Sequence, residues 1–389
     1  MKPEPAEPER TAMPPARPDD HPPHLFRPLT QRALTCKNRV CVSPMCQYQA
    51  VDGRMTDWHY DHHVRFAMGG VAVGMVEATG VSADGRITHG CTGLWTDDQI
   101  APLARVTAAY KRYGAIPAIQ LGHAGRKAST QRPWDGAQPL TPADGAWPTI
   151  APSAIPVRDG WPTPKAMDEA DIERVETDFR TAAARALAAG FEVVEIHGAH
   201  GYLLHSFLSP LSNRRNDGYG GDLDGRMRLP LEVARIVRAA WPAELPVWYR
   251  VSAQDGVEGG LELAEVIELC RRLKTIGIDL VDCSSGGISG SPSLSTVHPG
   301  PGFQVPFAEA IRREAGIATM AVGFITEAEQ AEAILAEGKA DMIAIAREHL
   351  ADPAWTYHAA LALGAPDAHA LLPHLYQWYL ERRAALTKG

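Results

Sequence analysis

Short apolar runs alternate with longer stretches at helical spacing along most of the chain. Eight runs read as buried strands: Arg39–Ser43, Val71–Val76, Ile116–Leu121, Val193–His197, Val247–Val251, Leu280–Ser284, Thr319–Gly323 and Met342–Ala346. Pro117 stands near the start of the third, where a missing N–H does least harm. Between the runs, Asp168 to Ala189 carries Ile172, Val175, Phe179, Ala183, Ala186 and Leu187 on one helical face, and Gly190 follows as a stop. Arg226–Trp241 and Leu261–Ile276 repeat the pattern. Thr326 is positioned to cap a helix running to about Glu337. Strands alternating with helices predict a parallel α/β fold, and eight of them favour a closed (β/α)₈ TIM barrel. An open doubly wound sheet is the runner-up. It would place a glycine-rich phosphate turn after its first strand, and none follows Ser43.

The remaining stretches fix the boundaries. Residues 1–23 are rich in proline and charge and are expected to be a disordered tail, with order beginning at Leu25 and Phe26. Residues 24–365 are expected to form a single barrel domain, and 366–389 a C-terminal segment. Ala124–Met167 and His200–Asp224 are too long for plain connections, and both follow strand C-termini, where barrel enzymes do chemistry.

Composition narrows the class. A chain of 389 residues with 45% hydrophobic and 22% charged residues is ordinary for a globular protein. The net charge of −8 comes with no basic block, which argues against a nucleic-acid surface. No apolar run has the length of a membrane span. The six cysteines include no C-x-x-C pair, so neither zinc nor an iron–sulfur cluster is expected. With nothing resembling a signal peptide, a reduced, cytoplasmic setting is expected.

The strand ends carry the chemistry. The first strand leads into Ser43-Pro44-Met45-Cys46-Gln47-Tyr48 and the second into Glu77-Ala78-Thr79-Gly80. Gln120 to Lys127 follows the third. The fourth releases His197, His200 and Tyr202 together, with Gly198 and Gly201 freeing the backbone between them. Arg250 lies on the fifth, Ser284-Ser285-Gly286-Gly287 ends the sixth, and Gly323 and Arg347 close the last two. In a barrel these groups share one mouth. Gln120 and Arg250 suit the ring edge of a planar electron acceptor, and the glycines and Arg347 suit a phosphate.

These motifs, taken with Ile119 to Lys127, Glu195 to Leu203, Ser209-Pro210-Leu211-Ser212-Asn213, Asp217 to Gly221 and Ala344 to Arg347, resemble the old yellow enzyme family of FMN-dependent ene-reductases. The likeness is to the bacterial, xenobiotic-reductase-like subclass with a cysteine near the flavin. The resemblance implies an NADPH dehydrogenase that reduces activated C=C bonds in enones, maleimides and nitroalkenes. It implies that His197 and His200 hold the substrate oxygen. Tyr202 would protonate the α-carbon while reduced FMN N5 gives hydride to the β-carbon. Cys46 would tune the flavin, and Tyr48 would border the substrate. FMN would be held, tightly but non-covalently, by Ser43, Pro44, Met45, Cys46, Ala78, Gln120, Arg250, Ser285, Gly286, Gln304, Gly323, Ala346 and Arg347. NADPH or NADH would dock transiently, and no metal is implied. Family members commonly have Gly before the final barrel Arg, where this chain has Ala346. A homodimer or homotetramer is implied, with Trp378 or Tyr379 reaching a neighbour's pocket.

Two other readings stand beside this one. His197 and His200 could ligate a metal in a barrel hydrolase, with His59, Asp61, His62 and His63 as further candidates. That leaves Gln120, Arg250 and Cys46 without purpose. A catalytically silent flavin-binding barrel is the other alternative.

Overall fold

The computed structural model describes residues 21–289 and 300–387. The tail expected to be disordered therefore lies outside the described residues up to residue 20. A 3₁₀ turn at His24–Phe26 opens the ordered chain, and Leu25 is fully buried.

The strands are β1 (Val40–Val42), β2 (Val73–Gly80), β3 (Ile116–Gly122), β4 (Val193–Gly198), β5 (Val247–Ser252), β6 (Leu280–Ser284), β7 (Ala318–Ala321) and β8 (Met342–Ile345). They close into a parallel barrel in which β8 pairs with β1. The main helices between them are α1 (Asp57–Met68), α2 (Ile100–Arg112), α3 (Glu169–Ala188), α4 (Leu203–Leu208), α5 (Leu223–Ala240), α6 (Leu263–Ile276), α7 (Val305–Ala315) and α8 (Ala328–Ala336). Then come α9 (Arg347–Ala351), α10 (Trp355–Ala362) and α11 (His374–Thr387). The TIM barrel is the fold the alternation predicts.

Alternation along each strand sorts the side chains into two cores. Val40, Val42, Ile119, Leu121, Val194, Ile196, Val281 and Ile343 point outward into the strand–helix core. Cys41, Met75, Ala118, Val193, Trp248, Leu280, Met320 and Met342 fill the barrel's lower interior. The same inward register continues upward to Gln120, Glu195, His197, Arg250, Asp282 and Ser284. The polar residues of the mouth are thus consecutive inward positions above an apolar floor.

The structure departs from the pattern at four places. A hairpin of Leu29–Gln31 and Leu34–Cys36, not foreseen, sits under the barrel, and Trp248 Nε1 donates to Gln31 Oε1 at 2.9 Å. The segment His200–Asp224 contains α4, whose six residues are all buried. The cap of α8 is Glu327, not Thr326; Thr326 N instead donates to Gln330 Oε1. Last, β7 ends at Ala321, so Gly323 belongs to the loop above it.

Candidate active site

The inner cavity, of about 260 Å³, opens at the C-terminal mouth of the barrel. Ser43, Pro44, Cys46, Ala78, Gln120, His197, His200, Tyr202, Arg250, Gln304, Gly323, Ala346 and Arg347 line it, so these sequence-derived candidates meet. Ser284, placed at the end of the sixth strand without a role of its own, lines it too, as do Phe303 and Val322, which were not singled out from the sequence.

Local geometry explains why β4 ends as it does. Gly198 packs against the Tyr249 ring so closely that an added Cβ would lie 2.2 Å from it. His200 adopts a left-handed backbone with φ of 61°, a conformation costing about 1–3 kcal/mol for a residue with a side chain. Three contacts hold it there. His200 N donates to Ser252 Oγ at 2.9 Å, and Lys127 Nζ donates to His200 O and to Gly287 O, each at 2.8 Å. The next turn is fixed by Gly201 N donating to His205 Nδ1 at 2.7 Å, and His205 Nε2 lies 3.0 Å from Asp255 Oδ1. The two imidazole centroids are 5.1 Å apart, and the Tyr202 ring lies 5.0 Å from that of His197.

Burial, and next Arg250, hold both His197 and His200 well below the ordinary imidazole range, so each is neutral with one N–H to give. His197 Nδ1 accepts from Ala199 N at 3.3 Å, which leaves its proton on Nε2. His200 Nε2 is 2.7 Å from Ser284 Oγ. A hydroxyl proton given to Nε2 there places the His200 N–H on Nδ1. Burial raises the Tyr202 phenol above its usual range, so only a strongly basic acceptor takes its proton. Burial, then Glu77, raises the Cys46 thiol well above normal, keeping it uncharged. Glu77 anchors the loop beneath by accepting from Gln47 N at 2.7 Å and Thr92 Oγ1 at 3.0 Å, and burial pushes it up to about 7.

Two further spaces adjoin the cavity. A cleft of about 180 Å³ lies over Gly323, Phe324, Thr326, Ala346 and Arg347, and the Arg347 guanidinium stacks 4.6 Å from the Phe324 ring centroid. Gly323 has φ of 115°, and a Cβ there would meet Gln304 Nε2 at 2.9 Å, so this cradle needs glycine. An outer cavity of about 320 Å³ is framed by Tyr48, Ile87, Lys127, Pro133, Trp161 and Tyr202. The buried guanidinium and amide at one end and the glycine cradle with a cation at the other fit an isoalloxazine and its phosphate.

Other candidates lie elsewhere. Met45 is partly buried against the outer core. Ser285 Oγ donates to Gln304 Oε1, and Gly286 N to Gln254 O, so both support the rim without lining the inner cavity. Trp378 and Tyr379 are exposed on α11, set edge to face, and line none of the three spaces in their own chain. Trp147 pins the long loop through Nε1 to Asp84 O. Arg226 and Arg228 pair with Glu265 and Glu232. The histidines of the hydrolase reading pack on α1, with His63 Nδ1 2.8 Å from Tyr110 Oη and His62 edge-on to Phe66. Among the described residues, no group of three or more His, Cys, Asp or Glu is arranged for a metal.

Comparison with known proteins places this geometry. Residues 24–364 match the model of the NADH:flavin oxidoreductase / NADH oxidase family. The NADPH dehydrogenase of Geobacillus thermodenitrificans is 46% identical over 342 residues, 87% of this chain and 94% of that protein. The NADPH dehydrogenase of Bacillus subtilis is 42% identical over 341 residues, 87% of this chain and 95% of that one. Among solved structures, morphinone reductase in complex with tetrahydroNAD is similar at a TM-score of 0.72 and 26% identity, covering 91% of this chain and 96% of its own. The old yellow enzyme homologue of Zymomonas mobilis is similar at 0.72 and 25%, covering 91% and 99%.

Proposed function

Because the chain belongs to the NADH:flavin oxidoreductase / NADH oxidase family, and is thereby an FMN-dependent oxidoreductase of the NADPH dehydrogenase, old yellow enzyme type, we propose that it reduces the C=C bond of activated alkenes: enones, maleimides and nitroalkenes. The observation that carries the reading is the place of Tyr202. It walls both the inner polar cavity and the outer, largely apolar one, and two neutral imidazoles stand beside it. A planar substrate entering from the outer space meets donors for its oxygen and an acid for its carbon together.

FMN, when bound, supplies the hydride it has taken from NAD(P)H. Gln120 and Arg250 would hold its ring, with Ser43, Pro44, Met45, Cys46 and Ala78 along it. Gly323, Ala346 and Arg347 would hold its phosphate, with Gln304, Ser285 and Gly286 shaping the rim. His197 Nε2–H and His200 Nδ1–H donate to the substrate oxygen, where negative charge grows as the β-carbon is attacked. The resulting carbanion at the α-carbon is basic enough to take the Tyr202 proton. Cys46 offers a neutral thiol at the cavity wall, and Tyr48 borders the substrate. The loop carrying Pro133 and Trp161 walls the outer cavity on one side.

The assignment extends to the rest of the chain. The exposed Trp378 and Tyr379 on α11 would meet a second copy. The six free cysteines suit the cytoplasm. Among the described residues, no helix is long and apolar enough to cross a membrane.

The test is anaerobic. Purified protein is mixed with NADPH, with and without 2-cyclohexenone, and nicotinamide absorbance is followed. Oxidation that depends on the enone is expected. Consumption that the enone leaves unchanged overturns the reading, and a colourless protein that gains hydrolytic activity with added zinc would favour a hydrolase.

A further inference from the structure

Below the mouth lies a set of charged side chains with no part in the chemistry above. Glu195 on β4 and Asp282 on β6 are both 0% exposed; Asp282 lies opposite Arg250 on β5, and Glu195 lies opposite Trp248, two residues below Arg250. Asp282 Oδ2 is 3.0 Å from Arg250 Nε. Glu195 Oε1 accepts from Gln120 Nε2 at 2.8 Å. Glu195 Oε2 and both Asp282 oxygens have no hydrogen-bond partner among the described residues, and neither does Arg250 Nε, so the ion contact is not an in-line hydrogen bond. The neighbours from the other strands add no charge to balance the set. They are Cys41 from β1, whose thiol burial and Glu195 keep protonated, and Met75, Met320 and Met342 from β2, β7 and β8.

Of the two buried carboxyls, Asp282 alone lies within ion-pair distance of the one guanidinium, and Glu195 bonds to the amide of Gln120. With both ionised the set carries a net negative charge in a dry interior, which is costly. With one protonated it is neutral. The ion contact keeps Asp282 the better candidate for ionisation, and leaves Glu195, bonded only to the amide of Gln120, as the carboxyl whose proton occupancy can change. Burial, and next the Asp282 charge, raise Glu195; burial raises Asp282, and Arg250 pulls it back. Arg250 and Gln120 are also the two groups that pass from this layer into the cavity.

We propose that Glu195 is a redox-linked proton site: it takes up a proton from solvent when the pocket above it gains negative charge. The inference rests on FMN occupying that pocket. Two electrons and one proton entering as hydride leave one added negative charge on the flavin. Arg250 is then drawn upon from above and compensates the carboxyls less, so Glu195 binds its proton more fully. The proton comes from solvent and no bond other than O–H is made. Glu195 acts through Arg250 and is a positioning residue.

The holoenzyme is titrated anaerobically at a series of pH values, and protons taken up per two electrons are read from the dependence of midpoint potential on pH. The wild type is expected to take up more than one proton per two electrons near and above pH 8, where Glu195 is partly ionised in the oxidised enzyme, and Glu195→Gln to fall to one. Asp282→Asn, which removes a charge that helps raise Glu195, is expected to move the excess to lower pH. Infrared spectra of wild-type holoenzyme near pH 8 provide a measurement independent of any variant's folding. A protonated-carboxyl band that strengthens on flavin reduction is expected. Its absence, or equal proton counts in wild type and Glu195→Gln, overturns the proposal while a yellow protein still stands. A protein that holds no flavin overturns the reading of the pocket and this inference with it.

Discussion

Ser284 has one hydroxyl proton and two nearby acceptors, His200 Nε2 at 2.7 Å and Gln304 Oε1 at 3.3 Å. The shorter contact and the supply of a second proton to Gln304 by Ser285 at 2.9 Å both favour giving it to His200. That choice fixes the tautomer that faces the substrate. Ser284→Ala is expected to weaken a phenol such as 4-hydroxybenzaldehyde by roughly tenfold, the worth of about one hydrogen bond, read from perturbation of flavin absorbance. Unchanged affinity would mean that the tautomer is set by something else. At this scale the sequence was informative where chemistry is local. His197, His200 and Tyr202 sit within one short stretch and read as a set. Phe303 and Val322 reach the cavity only through barrel closure, and Ser284, though it opens the Ser-Ser-Gly-Gly run that ends the sixth strand, has a partner in His200 only once the barrel closes.

At the scale of elements, the strand–loop junctions carry the function. Gly198 ends β4 under the Tyr249 ring. Gly198→Ala is expected to cost about 1–3 kcal/mol by overpacking and to lower enone turnover together with the melting temperature. A variant as stable as wild type would show that Tyr249 moves aside freely. The eight strands were legible because a parallel strand buried on both faces must be a continuous apolar run. The hairpin at Leu29–Cys36 was not, because its short strands are half-exposed and their pattern is weak. Helix α4 was hidden for the opposite reason: its six buried residues leave no polar face to show helical spacing. Glycine and proline in the long loop after β3 announced a loop but not that Pro133 and Trp161 would frame a cavity.

Across the whole molecule, burial of histidine has a consequence for pH. Burial is the main cause holding His59, His62, His123 and His349 down to about 4 each. Unfolded histidine titrates near 6.5. Between those values the unfolded chain binds protons that the folded chain cannot, so stability falls as pH drops from about 6.5 toward 4. Scanning calorimetry should show a melting temperature clearly lower near pH 5 than near pH 7; equal values would contradict the buried, neutral state of these rings. Glu195 works in the other direction. Its carboxyl is raised in the folded state, so its contribution is lost as pH rises above the usual carboxylate range, and Glu195→Gln should flatten that part of the profile.

The account's central claim is that Tyr202 gives the proton while the histidines hold the oxygen. Anaerobic rapid mixing separates the two halves of the reaction in wild type and Tyr202→Phe. The rate of flavin reduction by NADPH should be the same in both proteins. Reoxidation by 2-cyclohexenone should be slower in the variant by about 10²-fold or more, the usual worth of a placed general acid. Equal slowing of both halves, or reoxidation at the wild-type rate, would contradict the account.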